Sequence, residues 1–571
     1  MTGLRFLQLV LLLLLVIHSG RAQDNPVHLS LHQYEQLQRL SAKYPMEESF
    51  FPSFHTMSRK EIADFVMKLP FDSMNSHDLD AVRYLVNELP EWFTDTSFLA
   101  AYEDLVDPGS SLLAPKKNDP WLNTFYPYAG NMIFVRKKDF FLAANPILQW
   151  KFGRQSDGYS TIFENRKGVT MRMGIDNKIF IDTKIEDLQY GRPLHILQYT
   201  DRYHSSPGFT LYKRYQSSAL SSLRGLDALN GQAYLTVPIG KYAYTRFGYG
   251  KDFLGNGIQS LLLSDFGSNY LHLNFNLEIW RLRYRYMIAE LTAKSGRQVP
   301  GDQLLPKKFM ATHMLQFKLW NQAHLGLFES VVFNRDQQLE WHYLLPVIFF
   351  RTVEHAIGSP DNVLLGLDFK TTLFHRMEVY SQFVLDEFKS SELFGGNHWW
   401  ANKWGFQLGA TVYDLAGIQN LNGTLEYNTV RPYTYSHRDS LAVYTHYNSP
   451  LAHPLGANFR EYIARLNYTP HRRWQLFGLL YHHKQGLNID DINYGSDIRL
   501  KNASRPMDYG IRTLQGRQVN VTGFQGGLTF MMWHGAFLDL NLGIRQEEQN
   551  NNVWGSVAFR LNSARTGMEI F

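Results

Sequence analysis

Two stretches of this chain carry side chains that could grip a sugar. The first is Trp399-Trp400-Ala401-Asn402-Lys403-Trp404, where flat indole faces stand beside an amide and a cation. Aromatic faces stack on the apolar faces of sugar rings, and the amide and ammonium can bond hydroxyls or acidic substituents. The second is Arg431-Pro432-Tyr433-Thr434-Tyr435-Ser436-His437-Arg438, a basic and aromatic run suited to an acidic polymer. Each has a plainer explanation as well. Tryptophan gathers at the water boundary of membrane barrels, and a basic loop can simply pack on itself. On residue type alone, Trp399, Trp400, Lys403, Trp404, Arg431, Tyr433, Tyr435 and Arg438 are the candidate polysaccharide-binding residues.

Fragments that imitate enzymes do not assemble into a site. Gly248-Tyr249-Gly250, His437-Arg438-Asp439 and Asp265-Phe266-Gly267 look like protein-kinase elements. Kinase chemistry needs the HRD loop shortly before DFG, so that base and magnesium ligand converge; here DFG comes first, by about 170 residues. His482 and His483 are neighbours on a strand, so they point to opposite faces and cannot chelate together. Asp386-Glu387 is an acidic pair, but spacing in sequence does not set a glycosidase separation. Neither HExxH nor G-x-S-x-G occurs. The expectation is a non-enzymatic protein with no catalytic residue, cofactor or metal; a barrel hydrolase stands as an alternative.

What elements would position such residues? In Thr245–Thr292, Leu271, Leu273, Phe275, Leu277 and Ile279 alternate with His272, Asn274, Asn276 and Glu278. That is period two, a strand with one apolar face. After Trp280 the parity flips, and Leu282, Tyr284, Tyr286 and Ile288 alternate with Arg281, Arg283 and Arg285. A hairpin pairing Leu277 with Leu282 keeps one apolar face. Three arginines facing lipid would cost about 6–12 kcal/mol, so they should face a wet interior. Similar alternation recurs at Val169–Ile185 around the turn Asp176-Asn177-Lys178, at a turn Pro238-Ile239-Gly240, at His313–Val331, at Leu528–Ile544 around His534-Gly535, and at Val557–Leu561.

Composition favours a barrel over a soluble sandwich. Aromatics make up 15% of 571 residues, yet mean hydropathy is −0.30. A lipid-facing surface needs the aromatics, and a polar lumen lowers the average. Net charge is +5, which permits an acidic ligand without demanding one. Cysteine is absent, so neither disulfides nor thiolate metal sites contribute. Residues 1–22 read as a secretory signal: Arg5, the apolar Phe6–Ile17, and Gly20-Arg21-Ala22 as the cleavage site. The later apolar run Leu344–Phe350 (LLPVIFF) is too short to span as a helix and contains proline.

Residues 23–124 read as helical, a periplasmic bundle or a plug. Leu31, Tyr34, Leu37 and Leu40 recur at helical spacing, Ser58-Arg59-Lys60-Glu61 is a capping box, and Asp78–Leu89 stops at Pro90. Asp107–Pro120 reads as a linker. Residues 125–571 read as the barrel; roughly 445 residues at about 24 per strand allow about 18 strands. The fold class expected is an all-β transmembrane barrel of antiparallel strands behind a small α-helical segment. Arg431–Arg460, Leu487–Arg517 and Ser390–Trp404 are too long for turns and should be outer loops. The terminal Phe571 is an assembly-signal residue, although Arg565, Gly567 and Glu569 break the alternation beside it.

Several blocks taken together resemble one family: FGYGKDFLGNGIQSLLLSDFGSNY, LGLFESVVF at 325–333, RTVEHAIGSPDNVLLG at 351–366, WWANKWG at 399–405, and YNTVRPYTYSHRDSLAVYTHYNSPLAHPLGANFRE at 427–461. The chain is similar in these to the Wzi-like capsule-assembly family of outer-membrane proteins, in its Bacteroidetes branch with the RemB-type gliding-motility proteins. The resemblance implies an 18-stranded barrel with helices on the periplasmic side. It also implies a role in holding capsular polysaccharide or supporting surface adhesion and gliding motility. The partners expected are outer-membrane lipid, surface polysaccharide including acidic forms, and the barrel-assembly machinery, with no nucleic acid. A porin-type diffusion channel or transporter is the competing class.

Overall fold

The computed structural model describes residues 31–45, 57–106, 126, 130–156, 161–209, 211–217, 223–294, 303–359, 361–387, 390–393 and 396–563. The signal segment, the linker Asp107–Pro120 and Phe571 lie outside the described residues.

Alternation is the physical cause of the wall. Leu538, Leu540, Leu542 and Ile544 are exposed, whereas the alternating Asp539 and Arg545 are buried. A soluble sandwich would reverse this, with its apolar side chains inside. Here the polar row points in and the apolar row points out, as lipid outside and water inside require. The wall is a closed antiparallel barrel of 18 strands. Its first strand, Phe140–Gln155, pairs with its last, Asn550–Leu561, from Leu148↔Leu561 to Gln155↔Trp554. Two short segments, Ile133–Lys137 and Lys213–Gln216, pair onto its margin.

One mouth carries tight turns ringed by the exposed aromatics Tyr242, Trp280, Trp320, Phe374 and Trp474, the pattern of an interfacial girdle. The other rim carries the long connections. Of the three arginines, Arg283 and Arg285 do point inward and are buried, while Arg281 sits exposed in the turn. The hairpin register differs from expectation by two residues. Ile279 pairs with Leu282 and Leu277 with Tyr284, because the loop is the two-residue Trp280-Arg281. A shift of two preserves parity, so every side chain keeps its face. Likewise the neighbouring turn is Gly240-Lys241-Tyr242, since Ile239 pairs with Ala243.

Four helices, Leu31–Lys43, Arg59–Met67, Ser76–Glu88 and Thr96–Leu105, close on a core that includes Leu37, Val66, Val82, Leu85 and Phe93. The capping box at Ser58 and Glu61 is formed. The fourth helix, capped by Asp95, was not expected from periodicity. This bundle docks on the short-turn mouth through buried and partly buried ionic contacts. Arg39 bridges Asp78 at 2.5 Å and Asp414 at 2.9 Å. Glu61 meets Arg283, and Glu35 meets Arg465. Glu88 meets His534 at 3.3 Å.

Within the barrel, the connection 251–269 folds into the lumen. Its Leu261, Leu262 and Leu263 pack with inward Met287, Met310, Phe328 and Val384 and with Tyr435 and Tyr444 of an outer connection.

Candidate functional site at the long-loop rim

Three connections, 388–402, 431–458 and 488–516, converge above one sector of the wall. The first and third are joined by their backbones. Trp400 N donates to Asp508 O at 2.8 Å, Gly510 N to Asn397 O at 3.0 Å, and Ile511 N to His398 O at 2.9 Å. Arg431 ties in the second loop, donating from Nη2 to Ile511 O at 3.1 Å and to Trp399 O at 3.4 Å. Burial lowers the Arg431 guanidinium from its ordinary value, so these carbonyls supply the solvation it lost.

On that frame stands an aromatic and cationic ridge. The rings of Trp399 and Trp400 are 6.1 Å apart, and the Arg505 guanidinium lies 3.8 Å from the Trp400 ring centre. Arg505 is held there by Asp508, Nε to Oδ1 at 2.7 Å. Beside them Met507, Tyr509 and Arg512 are exposed. The ridge offers partly exposed indole faces, one oriented guanidinium and its exposed carboxylate partner.

The eight residues proposed from sequence separate in space. Trp399 and Trp400 are at the ridge, and Arg431 lies beneath it. Arg438 is exposed elsewhere on its loop. Lys403, Tyr433 and Tyr435 are fully buried and unable to touch an external glycan, which corrects that expectation. Lys403 Nζ is taken by Asp386 at 2.8 Å and by Ser436 O at 3.0 Å. Tyr433 donates to Asn493 O at 2.7 Å, and Tyr435 donates to Leu261 O at 2.8 Å. Both tyrosines adopt left-handed backbone, φ 65° and 71°, a strain these buried anchors hold in place. Trp404 faces outward on the wall, 6.4 Å from the ring of Phe383, in the manner of a girdle residue.

Sequence reasoning misses Arg505, Asp508 and Tyr509, because length is the one signal that the 488–516 connection carries. It also misses what fills the lumen. Four adjacent strands each aim one polar side chain at the inserted loop. Asp368 accepts from Asn256 at 2.6 Å, Gln382 from Leu261 N at 2.9 Å, and Glu426 from Ile258 N at 2.6 Å, while Gln407 donates to Gln259 O at 2.9 Å. Gly255 takes φ +129°, a backbone conformation open to glycine, and this lets the loop pass close to Gln382. The signal was present as GNG in the loop with inward Asp, Gln, Gln and Glu on consecutive strands.

Among solved structures, the chain is similar to Wzi of Escherichia coli, described as an outer-membrane protein involved in group 1 capsule assembly and a carbohydrate-binding β-barrel. The likeness has a TM-score of 0.55 at 14% identity and covers 96% of this chain and 100% of that one. The fold is Wzi-like. OprD of Pseudomonas aeruginosa aligns over 73% of this chain and 94% of that one, at 10% identity and TM-score 0.40. OccAB4 of Acinetobacter baumannii aligns over 75% and 98%, at 9% identity and TM-score 0.40. No family model and no curated protein sequence matches the chain. The Wzi-like barrel here has a bundle of helices against one mouth, a packed loop inside, and its chemically varied surface at the opposite rim.

Proposed function

We propose that this protein is a non-catalytic outer-membrane barrel that binds and organises surface polysaccharide through the ridge of Trp399, Trp400, Arg505 and Tyr509. The observation that carries the reading is the filled lumen. Connection 251–269 crosses it and is bonded to four strands of the facing wall. A barrel blocked at its waist is poorly suited to diffusion, and its outer loops are left as the place where ligands meet the protein. The carbohydrate binding described for Wzi supports the same direction. Orientation follows from the loops, since long loops of such barrels lie outside the cell and short turns face the periplasm. The helices at the short-turn mouth are then periplasmic.

Removing the aromatic faces tests this. The double variant Trp399→Ala, Trp400→Ala should lose polysaccharide retention several-fold while heat-modifiable gel mobility shows normal barrel assembly. Retention equal to wild type would overturn the assignment of the ridge. Purified protein in planar bilayers should show no steady porin conductance; a stable open channel would overturn the blocked-lumen premise. The finer reading, a member of the Bacteroidetes branch supporting capsule or gliding motility, is separated by scoring a deletion strain for both capsule retention and surface movement.

A further inference from the structure

The apolar run Leu344–Phe350, too short to cross a bilayer, has a place that the polysaccharide reading does not use. Residues 334–361 join the strands Ala323–Phe333 and Asn362–Leu373. They do not stand above the rim. They pack down the outside of the wall, with Tyr343, Phe350 and Val353 covering outward-facing Tyr286, Phe309, Ala311, Val331 and Phe333.

Under this arm lies a polar pair on the lipid side of the barrel. His313 and Glu329 are cross-strand partners facing outward, Nε2 to Oε2 at 2.8 Å, and both are covered. The helix Phe350–Ile357 supplies its first amides to that carboxylate, Phe350 N at 3.1 Å and Arg351 N at 3.1 Å. The Phe350 ring stacks on His313 with centres 4.5 Å apart. The wall also serves the arm's irregular backbone. Tyr286 donates to Tyr343 O at 2.6 Å, and Tyr284 donates to Pro346 O. Pro346 has no amide hydrogen to satisfy. Irregular backbone survives at membrane depth only where its polar groups are bonded within the protein, and this arm meets that condition on its inner side.

Its outer crest is apolar. Trp341, Leu345, Val347 and Phe349 are exposed, Val347 by 79% and Phe349 by 70%, and they continue the outward apolar surface formed below by Leu327 and Leu367. Of its polar groups, Arg351 pairs with Glu354 at 2.5 Å and His342 with Glu340 at 2.6 Å, while Asp336 and His355 are exposed toward the two ends of the arm, away from the apolar crest.

We propose that residues 334–361 are a re-entrant arm immersed in the outer half of the bilayer, with the crest Trp341, Leu345, Val347 and Phe349 covered by lipid acyl chains. The inference rests on the barrel being embedded in a membrane. The chain has no cysteine, so single sites can be spin-labelled in the full-length protein. Val347→Cys and Phe349→Cys are labelled in proteoliposomes and read by collision with oxygen and with a water-soluble nickel chelate. References are Val557→Cys on the wall and Met507→Cys on an outer loop. The result expected is oxygen broadening several-fold above nickel broadening at 347 and 349, matching 557 and opposite to 507. Nickel access at 347 and 349 equal to that at 507, with 557 still protected, overturns the arm and leaves the membrane reading intact. Nickel access at 557 overturns both. Dipolar broadening at 347 that disappears on dilution with unlabelled protein also overturns it, because the crest would then be covered by a second copy of the chain.

Discussion

Glu426 is the position where the filled lumen can be broken with a single side chain. Its carboxylate is buried and accepts from Ile258 N at 2.6 Å, Gln259 N at 3.3 Å, Tyr380 OH at 2.7 Å and Asn428 Nδ2 at 2.9 Å. Asn428 has a second acceptor in Glu461 at 3.0 Å, and the Tyr380 hydroxyl can rotate. In Glu426→Ala the donors that lose most are therefore the two loop amides. At roughly 1–3 kcal/mol for each buried unsatisfied group, the loop loses about 2 kcal/mol at the least. Since 1.4 kcal/mol is tenfold, local opening becomes at least about 30-fold more frequent. Hydrogen exchange of the 251–269 peptides, read by mass spectrometry on the intact protein in nanodiscs, should accelerate by that factor. Peptides of the helix Arg59–Met67 should not change. Glu426→Gln retains one acceptor oxygen and should fall between. Unchanged exchange in Glu426→Ala would refute the claim that this carboxylate pins the loop across the lumen.

Three further outcomes are expected. Gly257→Ala should expose connection 251–269 to protease, because its Cβ would lie 2.5 Å from both Gln259 O and Gln407 Oε1; an unchanged digestion pattern would count against the close approach. Arg39→Ala removes the guanidinium between Asp78 and Asp414 and leaves Lys43 Nζ bridging them at 2.7 and 3.3 Å; it should cost the docked helices about 2 kcal/mol, read as faster hydrogen exchange of the helix Ser76–Glu88, and unchanged exchange would count against the bridge. The docking should also be acid-sensitive. Burial alone would raise the Glu88 carboxyl, but the hydrogen bond and charge of His534, with Arg59 and Arg172, outweigh it and hold the group at about 2 against an ordinary 4.5. Burial is likewise outweighed at Glu91 by Arg59 and Arg172, and at Asp414 by Arg39. A depressed carboxyl contributes stability that is complete above its unfolded value and is lost as pH falls toward its folded one. Glu35, raised by burial, acts with the opposite sign. The helices should therefore loosen as pH drops from about 4.5 toward 2, and Glu88→Gln should flatten that profile; identical acid profiles for variant and wild type would exclude Glu88 as a contributor.

Much of the wall was legible because alternation is a local property. Leu271 to Ile279 and Leu282 to Ile288 declare their faces two residues at a time, and no distant contact is needed to read them. Even the hairpin register error left the faces right, since a slip of two is invisible to parity. The capping box at Ser58 was legible for the same reason: its two hydrogen bonds close within four residues. The helix Thr96–Leu105 falls in the span read as helical, though no periodicity singles it out, whereas Leu194–Tyr203 and Phe350–Ile357 lie in the span read as barrel; they are short and shaped by what they pack against.

The ridge was legible only in part. Aromatic and basic residue types pointed to Trp399 and Trp400, but the same rule chose Lys403, Tyr433 and Tyr435, which the fold buries. Nothing local distinguishes a tyrosine that donates to Leu261 across 174 residues from one that faces water. By itself the sequence determined the strands within Val169–Ile185, Leu271–Ile288, His313–Val331, Leu528–Ile544 and Val557–Leu561, with the apolar and polar faces of each, and three of the long connections, because backbone geometry imposes period two on each strand separately. Only tertiary structure decided that 251–269 turns into the lumen, that 334–361 turns down the outer wall, and that Arg505 comes to rest on Trp400. Those outcomes depend on burial and on hydrogen-bond partners brought together from remote parts of the chain, and such pairings have no period to be read.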